Sequence, residues 1–564
     1  MKPAFFGRGC DTRCSLLGLQ LHRLATLALI GLTAALLIGA GNKGICSENP
    51  GAPNIVFILA DDLGYGDVRA LNPQGKIATP HLDKLAADGM AFTDAHTSSS
   101  VCSPTRYGVI TGRYNWRSRL QKGVLGGLSP RLIEPGRLTV PGLLKQHGYH
   151  TGCVGKWHLG MNWALKPGGE VSELTIESRE QVFNVAYDKP ITNGPNSVGF
   201  DYYFGISASL DMVPYTFIEN DRVTKLPTED RDFPLMLGRE TGRCRKGPAA
   251  PGFEVEDVLP ELTRKTVAYI ESRAAAAKQG TPFFLYLPLN APHTPIVPTA
   301  EWQQKSGLNM YGDFVMATDA AVGQVLETLS RLGLADNTLV FFTSDNGCSP
   351  QAGFPDLAAK GHNPSYVFRG HKADIYEGGH RVPFLVRWPG KVKPGSKYAH
   401  PICLVDLMAT CAEIVGAKLP DTAGEDSVSL LPALLGKTDQ SLRDAVVHHS
   451  ISGAFAIRQG NWKLAVCPGS GGWSDPRPGR EPPGSPPVQL FDLNQDIGEQ
   501  DNLATQRPEV VQRLMKLLEK CIAEGRSTPG TAQANTVEVD LWRAVKETAK
   551  GKPKPKPAKP KVKP

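Results

Sequence analysis

Several short stretches of this chain carry side chains that could do chemistry together. Cys102-Ser103-Pro104-Thr105-Arg106 offers a thiol followed, one helical turn on, by a guanidinium. Ser103 fits a helix N-cap and Pro104 the first helical position. The free N–H groups and positive dipole end of such a helix would face an anion beside Cys102, with Arg106 adding a bidentate contact. Asp61 and Asp62 stand at the end of one apolar run, Asp345 and Asn346 at the end of another. Adjacent carboxylates are costly unless a cation pairs them, and a hard divalent ion such as Ca²⁺ or Mg²⁺ takes such oxygen ligands. Lys156 and His158 are two apart, the spacing that puts an ammonium and an imidazole on one face of a strand. His293 is held between Pro292 and Pro295, and Lys372, Asp374 and Arg381 fall in the polar run 369–383. Taken singly, each has a plainer reading: a buried structural cysteine, a solvated Asp-rich turn, a loop histidine.

The elements that must position these residues are legible as patterns. Asn54–Ala60, Pro282–Leu289 and Thr338–Ser344 are continuous β-rich apolar runs, the texture of strands buried in a parallel sheet. Sheets of this class bind ligands at the carboxyl ends of their strands, where Asp61, His293 and Asp345 fall. Ala91–His96 reads as one more strand. Helices are predicted over 143–147, 259–277, 311–332, 404–415 and 508–525, and 212–256 as an irregular insertion. From about Ala445 the texture changes to short strands (454–466), a Pro/Gly/Ser-rich loop (467–487) and a closing helix. The predicted fold class is α/β, a large, mostly parallel sheet flanked by helices with a smaller C-terminal α+β subdomain on an antiparallel sheet. The expected divisions are a signal peptide (1–45), a catalytic domain (46–440), the C-terminal subdomain (441–545) and a disordered Lys/Pro tail (546–564).

The net charge of +7 is carried by the ends. The tail Lys550–Pro564 alone holds seven lysines and no acid, and residues 46–549 sum to −4, which excludes a nucleic-acid binder. Arg8, Arg13 and Arg23 precede the apolar run Leu24–Ala40 and small residues follow, the plan of a secretory signal, so a secreted or periplasmic location is expected. A membrane association follows only if that segment stays uncleaved. Eleven scattered cysteines give no disulfide framework and no Cys-x-x-Cys metal spacing.

Cys-x-Pro-x-Arg at 102–106 is the signature of type I sulfatases, and this chain resembles that family from about Asn54 to Asn502. Further motifs fall in the family's order: Gly148–Gly160 with Gly155-Lys156-Trp157-His158, Gly199–Gly205, Pro292-His293-Thr294-Pro295, Ser344-Asp345-Asn346-Gly347, and Tyr376-Glu377-Gly378-Gly379 with Arg381-Val382-Pro383. The resemblance, to sulfatases of the arylsulfatase A and N-acetylgalactosamine-6-sulfatase kind, implies the alkaline-phosphatase-like fold and hydrolysis of sulfate esters. It implies that a maturase oxidises Cys102 to formylglycine, and that Asp61, Asp62, residue 102, Asp345 and Asn346 hold Ca²⁺, with Mg²⁺ the alternative. By the same resemblance Arg106, Lys156 and Lys372 bind sulfate, and Asp345 helps deprotonate the attacking hydroxyl. His293, with Lys372, serves the leaving oxygen, and His158 takes the proton that releases sulfate. Ser209 is the match for a polar residue touching the hydrate, with Ser207 the alternative. Asp374 and Arg381 are candidate glycan contacts, Arg381 equally a partner of Glu377. The expected substrate is a sulfated glycan or aryl sulfate. The alternatives are a phosphodiester or phosphonate hydrolase of the same fold and an inactive exported glycan-binding protein.

Overall fold

A computed structural model describes residues 51–239 and 241–549, so the expected signal peptide, Cys10, Cys14, Cys46 and the tail from 550 lie outside the described residues. The centre is a ten-stranded sheet. In chain order its strands are β1 (Asn54–Ala60), β2 (Met90–Phe92), β3 (His150–Lys156), β4 (Tyr202–Ile206), β5 (Ile218–Glu219), β6 (Arg222–Val223), β7 (Phe283–Pro288), β8 (Thr338–Ser344), β9 (Phe384–Arg387) and β10 (Ser396–Tyr398). Across the sheet the order is β10-β2-β9-β8-β1-β7-β3-β4-β5-β6. The middle five, β8-β1-β7-β3-β4, are all parallel, and β9 joins β8 antiparallel. Every residue of β1, β7 and β8 is buried, which is why these runs are apolar without alternation. Asn54 sets their common start: its amide donates to Asn337 O and Thr338 Oγ1 while its oxygen accepts from Phe283 N.

Two groups of helices pack on the sheet. One comprises α1 (Pro80–Ala87), α4 (Val258–Lys278) and α5 (Met310–Arg331), the other α2 (Cys102–Thr111), α3 (Val140–Gln146) and α6 (Leu407–Ile414). The helix expected at 143–147 begins three residues earlier, because Thr139 Oγ1 accepts from Gly142 N and Pro141 fits the first turn. The strand expected over Ala91–His96 is broken at Thr93–Asp94. Met90–Phe92 pairs with β9, whereas Ala95–His96 pairs with Ile402–Cys403 in a separate ribbon. The insertion at 212–256 holds more order than expected, pairing β5 with β6 and Glu229–Arg231 with Gly247–Ala249.

A separate antiparallel sheet, β11 (Val446–His449), β12 (Phe455–Gln459), β13 (Trp462–Ala465) and β14 (Gln489–Asp492), lies in sequential order and packs on α7 (Pro508–Ala523). The last described helix, Arg543–Ala549, takes in 546–549, which were expected to belong to the disordered tail. The eight described cysteines are free and buried. No helix among the described residues is long and apolar enough to cross a membrane.

Candidate active site

Strand ends and one helix start converge at the carboxyl edge of the parallel strands. β1 delivers Asp61 and Asp62, β8 delivers Asp345 and Asn346, β3 delivers Lys156 and His158, and β7 delivers Asn290 and His293. Asp61 N donates to Ala291 O and Asp345 N to Ala60 O, so the strand ends are laced together beyond the ladder. Helix α2 brings Cys102 and Arg106, and Lys372 comes from the loop before β9. All ten residues of α2 are buried. Its N-cap is Val101, without a side-chain cap bond, and Ser103 lies inside the helix, so the expected Ser103 cap is not formed. The hydroxyl instead accepts from Leu125 N at 3.2 Å, fastening the start of the helix to a neighbouring loop.

The residues expected to act together do meet. Lys156 Nζ lies 2.6 Å from Asp61 Oδ2. Arg106 donates from Nε and Nη2 to Asp345 Oδ2 at 3.0 and 2.7 Å and from Nη1 to Lys156 O at 2.9 Å. Lys372 Nζ is 2.7 Å from Asp62 Oδ1, and His293 Nε2 is 3.7 Å from Asp62 Oδ2. Cys102 and these groups are at most 6% exposed. Three carboxyl groups and three cations therefore face one another in a deeply buried space.

The electrostatics follow from burial and neighbours. Burial alone would raise Asp61, but its cationic neighbours, Lys156 foremost and then Arg106 and Lys372, outweigh it and hold the carboxyl far below its usual range. Asp345 is pushed up to about 7, by burial and then by Asp61, against Arg106 and Lys156. Burial also raises the Cys102 thiol in spite of Lys156 and Lys372. An unmodified cysteine here is protonated and a poor nucleophile at neutral pH. Burial, then Lys156, drives His158 well below 6.5, so its ring is neutral. Its Nε2 faces Leu125 O at 2.9 Å and a carbonyl only accepts, so Nε2 carries the hydrogen and Nδ1 has a bare lone pair. That Nδ1 is buried without a partner. The same logic puts the hydrogen of His293 on Nδ1, which donates to Thr294 O at 2.6 Å, leaving Nε2 toward Asp62.

Two oxygens mark where a cation fits: Asp61 Oδ1 and Asn346 Oδ1 are buried with no hydrogen-bond partner. Leaving such atoms unpaired costs about 1–3 kcal/mol each. Asp61, Asp62 and His293 also bring one ligand atom apiece within 4.8 Å of one another. Carboxylate and amide oxygens are the donor set of Ca²⁺ or Mg²⁺. Asp62 and His158 hold left-handed backbone at φ 64° and 54°, strain that clusters at functional sites.

Of the residues expected at the substrate, Asp374 and Arg381 are engaged within the protein, Arg381 in its alternative pair with Glu377. Asp374 is fully buried and accepts from His371 N, Trp473 N, Ser474 N and Ser474 Oγ. Arg381 pairs with Glu377 and with Asp94, both at 3.2 Å, and donates to Thr93 O. Both side chains thus hold the wall. Ser209 is buried in the loop after β4 with an unpartnered hydroxyl, and the same loop takes His158 N on Ser207 O.

Sequence reasoning missed two features. The side chain of Asn290 is buried at the end of β7 with both polar atoms unpartnered. Its place directly after an apolar strand, like that of Asp61 and Asp345, was the available signal. Trp473 stands 37% exposed on the C-terminal loop that Asp374 pins beside Lys372, and nothing local to it in sequence marks that neighbourhood. Behind the wall, Lys463 Nζ reaches Glu377 at 3.1 Å and Glu499 at 2.8 Å, tying β13 to the helical turn Glu377–His380. His380 and His448 stack there at 3.8 Å and 11°. Parallel rings cannot both point at one metal ion, and Lys463 Nζ lies 2.9 Å from His380 Nε2, so the stack is packing.

Comparison with known proteins agrees with this geometry. The family model Sulfatase matches residues 53–417, and the model N-sulphoglucosamine sulphohydrolase, C-terminal, matches residues 370–466. The chain is 35% identical to N-acetylgalactosamine-6-O-sulfatase of Bacteroides thetaiotaomicron, over 86% of this chain and 96% of that protein. It is 34% identical to human arylsulfatase A, over 86% and 90%. A solved protein from a study of glycosaminoglycan metabolism by Bacteroides thetaiotaomicron superposes with a TM-score of 0.70 at 34% identity, over 83% of this chain and 99% of that one. With a family model over most of its length, relatives matched almost end to end, and the Cys102 cluster assembled on the expected strand ends, the chain belongs to the sulfatase family of sulfate ester hydrolases.

Proposed function

We propose that this chain is an exported sulfatase acting on sulfated carbohydrates, with residue 102 matured from cysteine to formylglycine. Asp61, Asp62, Asp345 and Asn346 would hold a divalent cation, Ca²⁺ ahead of Mg²⁺. The observation that carries the reading is the pair of unpartnered buried oxygens, Asp61 Oδ1 and Asn346 Oδ1, inside a cluster where three carboxyl groups pair with three cations. A divalent cation would leave that cluster net positive, which attracts the singly charged sulfate ester and the sulfate it releases. The relative named N-acetylgalactosamine-6-O-sulfatase supports a sulfated amino sugar as substrate class.

When present, the cation supplies charge opposite the sulfate oxygens, and hydrated formylglycine supplies one hydroxyl to attack sulfur and a second to release sulfate. The remaining work falls to this chain's side chains. Lys156, Lys372 and Arg106 line the place where negative charge accumulates, fixed beforehand by Asp61, Asp62 and Asp345. Asp345, held in place by the Arg106 fork on Oδ2, would take the proton of the attacking hydroxyl. Neutral His293 has no hydrogen on Nε2, so Lys372, which shares Asp62 with it, would be the donor for the leaving oxygen. His158 accepts the last proton on its free Nδ1, its tautomer held by Leu125 O.

The test is mass spectrometry of the peptide spanning residue 102, on protein made with a maturase, together with turnover of 4-nitrophenyl sulfate. The expected result is an aldehyde or its hydrate at 102, activity lost on chelation and restored by Ca²⁺, and no turnover by Cys102→Ala. Full activity with unmodified cysteine, or in Cys102→Ala, refutes the mechanism.

A further inference from the structure

At one edge of the large sheet a groove of about 710 Å³ runs between β10 and the loop before Asp439. Its rim carries Lys391, Lys393, Lys397 and Lys437, all exposed. None of the four ammonium groups makes an ion pair or hydrogen bond among the described residues, and the groove lining includes one acid, Asp439. Its floor is apolar, with Met90, Tyr398 and Leu434 buried. Tyr398 Oη donates to Gln440 O at 2.7 Å, so both walls are tied together and the groove is preformed. Lysine on an edge strand is a common guard against aggregation and accounts for Lys397 alone. Lys391, Lys393 and Lys437 lie off the strand, yet converge on the same concavity. They do so in a body, residues 46–549, that is net negative.

We propose that this groove is a second glycan-binding site, which takes a stretch of a sulfated polysaccharide remote from the ester being cleaved. The inference rests on the sulfated-carbohydrate reading above. Anionic groups on the chain would meet the lysine rim, and the apolar faces of sugar rings the floor. β10 is four strands from β1, about 19 Å at strand spacing, so an oligosaccharide of several residues is needed to occupy both places. The volume is that of a ligand-sized cleft.

The experiment uses the full chain carrying Cys102→Ala, so that binding is read without turnover. Binding of long chondroitin 6-sulfate chains is measured calorimetrically over a salt series, with and without Lys391→Ser, Lys393→Ser, Lys397→Ser and Lys437→Ser together. The expected result is affinity weakened at least tenfold, and a log–log salt slope smaller by about 3, as four counterion-releasing contacts are lost. In otherwise wild-type enzyme the same four substitutions should leave 4-nitrophenyl sulfate turnover unchanged and raise KM for the polymer. Unchanged polymer affinity in the quadruple variant overturns the proposal. So does equal affinity for duplex DNA or for phosphatidylserine vesicles, since that would be unspecific charge. Failure of the sulfatase reading would appear separately, as absent aryl sulfate turnover by the wild type, and would leave the binding comparison intact.

Discussion

Replacing Arg106 by lysine tests whether the buried fork, as distinct from its charge, organises the site. Arg106 is fully buried and makes three bonds: two converge on Asp345 Oδ2 and one reaches Lys156 O. A lysine ammonium is a point donor on a flexible stem and cannot reproduce the planar fork, so at least two of these bonds are lost. Hydrogen bonds to charged groups contribute about 1.5–3 kcal/mol each, so the substitution removes about 3–6 kcal/mol of interaction. Breaking a buried ion pair by other means costs about 3–5 kcal/mol, which agrees. Asp345, left with a poorer partner, becomes harder to ionise, and the Lys156 carbonyl loses its donor. Expressed in the transition state, the loss lowers kcat/KM of Arg106→Lys about 10²–10⁴-fold at 1.36 kcal/mol per decade. Turnover of 4-nitrophenyl sulfate by matured enzyme measures this, with near-ultraviolet circular dichroism to confirm the fold and peptide mass to confirm maturation at 102. A correctly folded and matured Arg106→Lys with kcat/KM within threefold of wild type would refute the argument that the fork geometry matters.

Three further outcomes are expected. Asp374→Asn sets an amide donor against donors that now share a carboxylate, at a cost of about 1–3 kcal/mol per orphaned group. KM for a sulfated saccharide should rise while kcat for aryl sulfate changes little, and the fluorescence of Trp473, isolated by difference against Trp473→Phe, should shift to the red as the loop loosens. Glu499 is raised from 4.5 to about 7 by burial, with Lys463 opposing and Glu377 adding. The folded protein therefore keeps a proton that the unfolded chain releases, and stability falls as pH rises from about 4.5 to 7, by about 3 kcal/mol. Glu499→Gln should match wild type near pH 5 and melt higher at pH 8, and a variant melting lower than wild type at pH 8 would contradict the assignment. Gly155 has φ 141°, and a Cβ there would come within 1.9 Å of Pro288 O. Gly155→Ala should lose about 2–6 kcal/mol through strain and overpacking, read as reduced soluble yield and a lower thermal midpoint.

Much of the fold was legible because the parallel strands are buried on both faces. Nothing but continuous apolar β-rich residues survives there, so Asn54–Ala60, Pro282–Leu289 and Thr338–Ser344 announce themselves. Short edge elements were less legible. The break at Thr93–Asp94 depends on partners in two different sheets, and the start of α3 on a capping bond from Thr139. In the site, residues belonging to compact motifs were readable one by one: Cys102 and Arg106, Lys156 and His158, the paired carboxylates. Asp374 and Arg381 sit in an equally dense motif, yet their partners come from Ser474 and Asp94, distant in sequence, and their carboxylate and guanidinium are engaged within the wall.

Local order along the chain therefore determined which chemical groups stand at strand ends and helix starts, because a strand buried in a sheet must release its polar residues where it emerges. Only the tertiary structure decided which groups cancel, which are left unpaired and which are neutral. That Asp61 meets Lys156, that Asp345 is shared with Arg106, that His158 keeps a free Nδ1 and that Asn290 has no partner all depend on contacts between residues tens to hundreds of positions apart. Charge state and hydrogen-bond satisfaction are properties of a buried neighbourhood, and the neighbourhood is assembled by long-range packing that no local pattern records.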